Sequence, residues 1–163
     1  MEKEFIENKM KELAKLINYE VNDISFIKKA MYCTKLSNQK DDGKNRKNYT
    51  NDSLATLGDA VLKLILSEYF FDQGYDKDEI TKEKERLEKG SALFDLCDKS
   101  KIIKYAYNDT FFYNDAPKHN KKPHPKHDPY IEAIIAAIYK DKGLEYCRNW
   151  VIEFFKINNY LPK

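Results

Sequence analysis

The sequence predicts an all-α fold, on three observations. Apolar residues recur at three- and four-residue spacing through most of the chain, as they do on one face of a helix. No segment alternates polar and apolar residues for long enough to predict a β-strand. Hydrophobic residues make up 42% of 163 residues, which is enough to form a core. We therefore expect one all-α domain over residues 1–163.

The first third of the chain predicts two amphipathic helices and a loop. The first helix is expected over residues 2–17, where Lys and Glu separate apolar residues at helical spacing. The second is expected over residues 24–32, with Asp23 as its N-cap. Residues 35–50 are polar almost throughout, which is typical of a solvated loop.

Residues 51–72 form the most apolar long run of the chain, NDSLATLGDAVLKLILSEYFFD. Leu54, Leu57, Val61 and Leu64 make one apolar stripe, and further apolar residues fill the other faces. A helix that is apolar nearly all round is expected at the centre of its domain. Gln73 and Gly74 are expected to end it.

Five more helical segments are expected after the central run. Residues 76–89 are dense in charge and predict a surface helix, followed by a helix over 92–99 and a short one over 102–107. Residues 108–128 contain prolines and all three histidines and predict an irregular stretch. A second strongly apolar helix is expected over 129–139, and the last helix over 144–155.

Net charge, cysteine spacing and the N-terminal residues bear on which class of protein this is and on its cellular compartment. The net charge is only +2, so total charge does not decide whether it binds nucleic acid. The three cysteines are far apart and form no CxxC pair, which argues against a disulfide framework or a structural zinc site. The N-terminus is charged from its second residue and no apolar run approaches the ~18 residues of a membrane span. We expect a cytoplasmic protein without membrane contact.

Two carboxylates stand in apolar surroundings, Asp59 in the central run and Glu132 in the second apolar helix. A buried carboxylate without a partner costs several kcal/mol, so each acid needs a cation, a hydrogen-bond donor or a metal. Gly58 and the alanines near both acids would let the two helices approach closely. Acids on two facing helices predict an oxygen-rich site for Mg²⁺ or Mn²⁺. The alternative is that both acids are held by lysines or helix caps.

Four segments resemble one known family. DSLATLGDAVLKLILSEYFF resembles the signature helix of ribonuclease III domains, ERLEFLGDAVL with an apolar continuation. INYEVNDISFIKKAMYCTKLS resembles LGYxFxDxxLLxxALTHxS, with Cys33 where His is usual. EITKEKERLEKGSALFDLCDKSKI resembles LTKLRSALVSEETLA, and DPYIEAIIAAIYKDKGLE resembles ADAFEALIGAIYLDGGLE. The four matches follow the family order and extend over almost the whole chain.

The resemblance implies an all-helical endonuclease domain that forms a homodimer and cuts double-stranded RNA. It implies a carboxylate site that uses Mg²⁺, with Mn²⁺ as a substitute, and two-metal hydrolysis that leaves 5′-phosphate and 3′-hydroxyl ends. Of the family's four carboxylates, Asp59 and Glu132 are kept, and both are expected to be catalytic metal ligands. The other two positions fall on Ala55 and Pro129, which carry no ligand oxygen.

Two further acids are assigned by the same resemblance. Asp52 stands at the first acid of the signature and is expected near the RNA-binding side of the site. Asp128 lies four residues before Glu132, so both acids fall on nearly the same face of a helix, and Asp128 is a candidate third metal ligand. Asp followed by Pro is also typical of a helix start, so Asp128 is equally interpreted as an N-cap.

The departures from the family pattern leave two interpretations. The compact Mini-III branch also reads LAxxGD at the signature and lacks the acid before the second-helix Glu, so an active enzyme is compatible with Ala55 and Pro129. Like that branch, the chain is expected to have no double-stranded-RNA-binding domain. The other interpretation is a degenerate member that binds RNA or a ribosomal partner without cutting.

A basic cluster precedes the helix that contains Glu132. We expect this cluster to bind the phosphate backbone of RNA, with an affinity that falls as the salt concentration rises. A solvated proline-rich loop is the plainer interpretation. The proposed RNA-contacting lysines are Lys118, Lys121, Lys122 and Lys126.

Overall fold

The structure is a computed structural model that describes residues 1–33, 51–115 and 130–163. The prediction of an all-α fold is confirmed: within these ranges the regular structure is helical, and β-pairing is limited to isolated bridges of Tyr107 with Tyr32 and Phe112. The helices are α1 (Lys3–Leu16), α2 (Ile24–Met31), α3 (Asp52–Asp72), α4 (Lys77–Glu88), α5 (Gly90–Lys99), α6 (Tyr130–Lys142) and α7 (Leu144–Ile157), with 3-10 turns at Ile102–Tyr105 and Tyr113–Asp115.

The helix ends follow local sequence signals closely. The Asp23 carboxylate accepts a hydrogen bond from the backbone N–H of Ser25, as its N-cap position predicts. Asp76 and Glu79 form a capping box at the start of α4. Helix α5 begins at Gly90, earlier than predicted, because Lys89 alone separates it from α4.

The most buried helix is α6, which packs against α3 over the largest contact in the domain and also contacts α2, α5 and α7. Its buried residues are Tyr130, Ile131, Ala133, Ile134, Ile135, Ala136, Ala137 and Ile138. The prediction that α3 is buried on all sides is wrong. Leu64 and Phe71 are 52% and 71% exposed, because no described element covers that face of α3.

Asp141 anchors the C-terminal end of α6 to the turn between α1 and α2. Its carboxylate accepts hydrogen bonds from the backbone N–H groups of Asn22 and Asp23, at 2.9 and 2.8 Å, and from the Tyr19 hydroxyl. Burial, followed by the bond to Asp141, raises the pKa of Tyr19. Hydrogen bonds to a carboxylate are stronger than those between neutral groups, so this anchor fixes the rotation of α6.

The three cysteines are free and buried. Burial raises the pKa of the Cys147 thiol to about 12, which makes it unreactive near neutral pH. No helix in the described part of the chain is long and apolar enough to cross a membrane.

The closest approach of α3 to α6 occurs at Gly58. A Cβ atom placed on Gly58 would lie 2.5 Å from the carbonyl carbon of Glu132 and closer still to its oxygen. Both atoms belong to the α6 backbone, which cannot rotate away as a side chain can. The absence of a side chain at position 58 is therefore a condition for the α3–α6 packing.

We expect Gly58→Ala to lower the free energy of unfolding by about 3 kcal/mol, since the added methyl overlaps backbone atoms of α6. Urea unfolding followed by circular dichroism measures this change. Gly74→Ala is the control, because its Cβ meets no atom within 4 Å and only its φ of +83° is unfavourable. We expect the free energy of unfolding of this control to fall by roughly 1 kcal/mol. Equal losses in the two variants would contradict the close contact.

Candidate active site

Asp59 follows Gly58, the residue of α3 that approaches the α6 backbone. Its carboxylate accepts a hydrogen bond from Lys63 Nζ at 2.8 Å, one helical turn further on. The side chains of Asp59 and Lys63 are 38% and 50% exposed. The expectation that Asp59 is buried is therefore wrong, because the face of α3 that carries it borders solvent.

Glu132 lies in the first turn of α6, and its own carbonyl group is the one that faces Gly58. The residue is partly buried. Acids in the first turn of a helix are favoured by the partial positive charge of that end. The sequence prediction that Asp59 and Glu132 stand on two closely packed helices is thus consistent with the α3–α6 contact.

The Lys63 ammonium lies in the field of three carboxylates. Its hydrogen bond to Asp59 is the main cause of its raised pKa, and the charges of Asp59, Glu88 and Glu132 raise the pKa further. Each of the three acids therefore stabilises the protonated lysine. Asp59, which the sequence predicted as a metal ligand, is thus paired with a lysine in the structure, as the alternative interpretation expected.

Glu88, the last residue of α4, is an acid that the sequence analysis did not single out. Burial is the main cause of its raised pKa, and the negative charge of Asp59 adds to it, while Lys84 and Lys63 lower it. Its Oε1 atom is fully buried and has no hydrogen-bond partner within the described residues. Glu88 therefore adds a negative charge to the electrostatic surroundings of Asp59 and Lys63.

Some of the remaining predicted site residues lie in the part of the chain that the structure describes, and the others lie outside it. Asp52 begins α3 and is partly exposed, and Ala55, about one turn later, is buried. The other predicted metal ligand, Asp128, and its neighbour Pro129 lie outside the described residues. So do the predicted RNA-contacting residues Lys118, Lys121, Lys122 and Lys126.

The donor atoms of these side chains suit a divalent cation, but the arrangement of the described side chains does not form a ready binding site for one. In residues 1–33, 51–115 and 130–163, no three His, Cys, Asp or Glu side chains stand together as a group that could hold a metal ion. Asp59 is turned towards Lys63 instead. The available donors are carboxylate oxygens, which Mg²⁺ and Mn²⁺ prefer. The raised pKa of Lys63 shows that the acids around it favour a positive charge there.

The sequence carries a signal for Lys63 but not for Glu88. Lys63 follows Asp59 at i+4, the spacing at which side chains meet on a helix. Glu88 is one of several acids in a helix dense in charge, and only the packing of α4 distinguishes it from Glu83 and Glu85.

These features define a helical domain in which two apolar helices, each carrying an acid, pack closely against each other. A model of the ribonuclease III domain matches residues 52–143, which contain α3 to α6. The chain belongs to the ribonuclease III domain family.

Several relatives are named Ribonuclease 3. The protein of Clostridium acetobutylicum is 27% identical over 152 residues, which cover 92% of this chain and 63% of the relative. That of Clostridium botulinum is 28% identical over 137 residues, covering 83% of this chain and 56% of the relative. The chain thus spans less than two thirds of the length of these relatives.

Solved structures of the nuclease domain of ribonuclease III from Campylobacter jejuni have the same fold. One superposes with a TM-score of 0.70 at 22% identity and covers 93% of this chain and 99% of that domain. A second, at 2.2 Å resolution, gives 0.68 at 24% identity, with coverage of 94% and 96%. The first was described for flexibility in a region involved in dimer formation.

We expect Asp59→Asn to change the free energy of unfolding by no more than about 0.5 kcal/mol in EDTA, because an exposed ion pair contributes little. Asp141→Asn is the same chemical change at a carboxylate that accepts hydrogen bonds from three groups. We expect it to lower the free energy of unfolding by about 1–2 kcal/mol. Urea unfolding of both variants tests this contrast. A large loss in Asp59→Asn would show that Asp59 supports the fold.

Proposed function

We propose that the chain is a metal-dependent endoribonuclease that cleaves double-stranded RNA. The observation that carries the proposal is the contact of Gly58, the residue before Asp59, with the backbone of Glu132 at the start of α6. Membership of the ribonuclease III domain family and relatives named Ribonuclease 3 support the same activity. The proposed hydrolysis leaves 5′-phosphate and 3′-hydroxyl ends.

Asp59 and Glu132 are the residues that would hold Mg²⁺ or Mn²⁺. Such ions, two in the proposed mechanism, supply activation of a water molecule and neutralisation of charge on the phosphate. Asp59 would have to leave Lys63 to serve as a ligand. This exchange costs little because both side chains reach solvent and an i, i+4 ion pair at the surface is weak. The freed Lys63 ammonium can then contact a phosphate oxygen of the RNA.

Substrate binding is proposed to rest on backbone contacts. Duplex RNA is recognised by its shape, its phosphates and its 2′-hydroxyls, so lysines suffice as contacts. Asp52 at the start of α3 and the lysine cluster around Lys121 remain the predicted RNA-binding residues. A cytoplasmic location, where such RNA is processed, remains a prediction.

We propose that the protein acts as a homodimer through the exposed face of α3. Leu64 and Phe71 are seven residues apart, so they lie on one side of the helix, and both are exposed in the single chain. Apolar side chains grouped on a surface favour association with another surface. Two copies would provide two acid sites, one for each strand of a duplex.

A binding protein without catalytic activity is the second candidate. Ala55 supplies no ligand oxygen, and the described acids do not form a ready metal-binding group. In this case the chain would keep the fold and bind RNA or a ribosomal partner without cutting it.

Cleavage of a labelled RNA duplex in Mg²⁺ or Mn²⁺ separates the two candidates. We expect Asp59→Asn and Glu132→Gln each to reduce the cleavage rate by about 100-fold or more, since each removes a charged oxygen donor. Duplex binding, measured by gel shift, should persist in both variants. Absence of cleavage at high enzyme concentration in Mn²⁺, with binding intact, would favour the binding protein.

Light scattering at micromolar concentration tests the dimer. The unaltered chain should have the mass of two copies, and Leu64→Glu combined with Phe71→Glu should shift it to one copy, because buried charges oppose association. Ile157→Glu is the control, since Ile157 is also exposed but lies on α7. A monomeric unaltered chain would argue against both the dimer and the enzyme.

A further inference from the structure

The C-terminal ends of three helices meet at one pocket on the surface of the domain. The residues that directly follow α1, α5 and α7, which are Ile17, Ser100 and Asn158, all line this pocket. Its volume is about 540 Å³, a size at which proteins bind small molecules. Neither Asp59 nor Glu132 lines it, so the pocket is separate from the proposed active site.

The floor of the pocket is apolar. The rings of Trp150 and Phe154, one turn apart on α7, stack with 4.7 Å between their centroids and 13° between their planes. The indole N–H of Trp150 donates a hydrogen bond to the Ile17 carbonyl at 2.8 Å, which ties this floor to the end of α1. Leu16 and Ile157 also line the pocket and are 45% and 58% exposed. An apolar ligand would therefore remove apolar surface of the pocket from water.

The pocket favours a positive charge for two independent reasons. The C-terminal end of a helix carries a partial negative charge, and three such ends converge here. The carboxylate of Glu153 on α7 also lines the pocket; it is exposed and forms no ion pair within residues 1–33, 51–115 and 130–163. Among the described residues, no lysine, arginine or histidine belongs to the lining.

The lysines in the last turns of these helices do not fill the pocket. Lys15 and Lys156 are not among its described lining residues. The Lys99 ammonium donates a hydrogen bond to the Asn158 carbonyl at 2.7 Å and lies 5.8 Å from the centre of the Tyr160 ring, which is outside the lining. Lys99 thus shows which group the helix ends attract, an ammonium beside an aromatic ring, without occupying the pocket itself.

We propose that this pocket binds a small organic cation, an amine with an apolar body. The apolar body packs on Trp150 and Phe154, and the ammonium group lies towards Glu153 and the helix ends. A neutral or anionic ligand of the same size gains the apolar contact but not the electrostatic one. A stable protein partner needs a contact of about 1,000 Å² or more, which is more than a pocket of this volume offers. The proposal does not depend on the nuclease function.

Trp150 is the only tryptophan of the chain, so its fluorescence reports directly on the floor of the pocket. Three probes share one apolar body and differ in charge: phenethylamine, phenethyl alcohol and hydrocinnamate. We expect phenethylamine to change the Trp150 fluorescence saturably and to bind about tenfold more tightly than hydrocinnamate, with the alcohol between them. No saturable change with phenethylamine, or equal affinity for the amine and the acid, would overturn the proposal.

Glu153→Gln removes the carboxylate charge of the pocket at an exposed position. We expect it to weaken phenethylamine binding by about threefold, the effect of one solvated ion pair, and to leave the binding of phenethyl alcohol unchanged. Glu145→Gln is the matched control, because Glu145 is an exposed acid of α7 that does not line the pocket. Equal phenethylamine affinities in the two variants would contradict the contact with Glu153.

Ile157→Lys places a competing ammonium group at the pocket and should weaken phenethylamine binding by about tenfold or more. Leu144→Lys, at an exposed position of the same helix outside the lining, should leave the affinity unchanged. Melting curves check that both variants fold as the unaltered chain does. Unchanged binding by Ile157→Lys would overturn the proposal. A lower mass of this variant in light scattering would show that a second copy of the chain covers the pocket, and would overturn the assignment to a small molecule.

Discussion

The contact between Gly58 and the backbone of Glu132 is the constraint on which the rest of the structure depends. A side chain at position 58 would occupy the space of the Glu132 carbonyl, so only glycine allows α3 and α6 to approach this closely. The residue after Gly58 is Asp59, and the residue across the contact is Glu132. The close packing of the two helices therefore involves the neighbour of one of these acids and the backbone of the other.

The opposite end of α6 is held by a different kind of interaction. Asp141 binds the turn between α1 and α2 through backbone N–H groups, so α6 is fixed by apolar packing along its length and by charged hydrogen bonds at its end. A rigid helix keeps a side chain in its first turn in place. Catalytic acids benefit from such rigid support, because small displacements weaken the chemistry.

The sequence predicted the features that depend on local spacing and failed on those that depend on packing. Periodicity located the helices, and the residue types at Gly58, Asp59 and Glu132 indicated a close contact with acids beside it. The exposure of Leu64 and Phe71 was not predicted, because an apolar face does not reveal whether the same chain covers it. Glu88 was not predicted either, because its burial arises from the way α4 packs against the domain.

The surroundings of Asp59 depend on more than the helix that carries it. In α3, Ala55 stands where the ribonuclease III resemblance implies an acid. Leu87, at the end of α4, is buried in the core, and α4 contacts α3. Burial raises the pKa of Glu88, the residue after Leu87, and the charge of Asp59 raises it further. The electrostatics around Asp59 are therefore a property of the tertiary fold and cannot be judged from the signature helix alone.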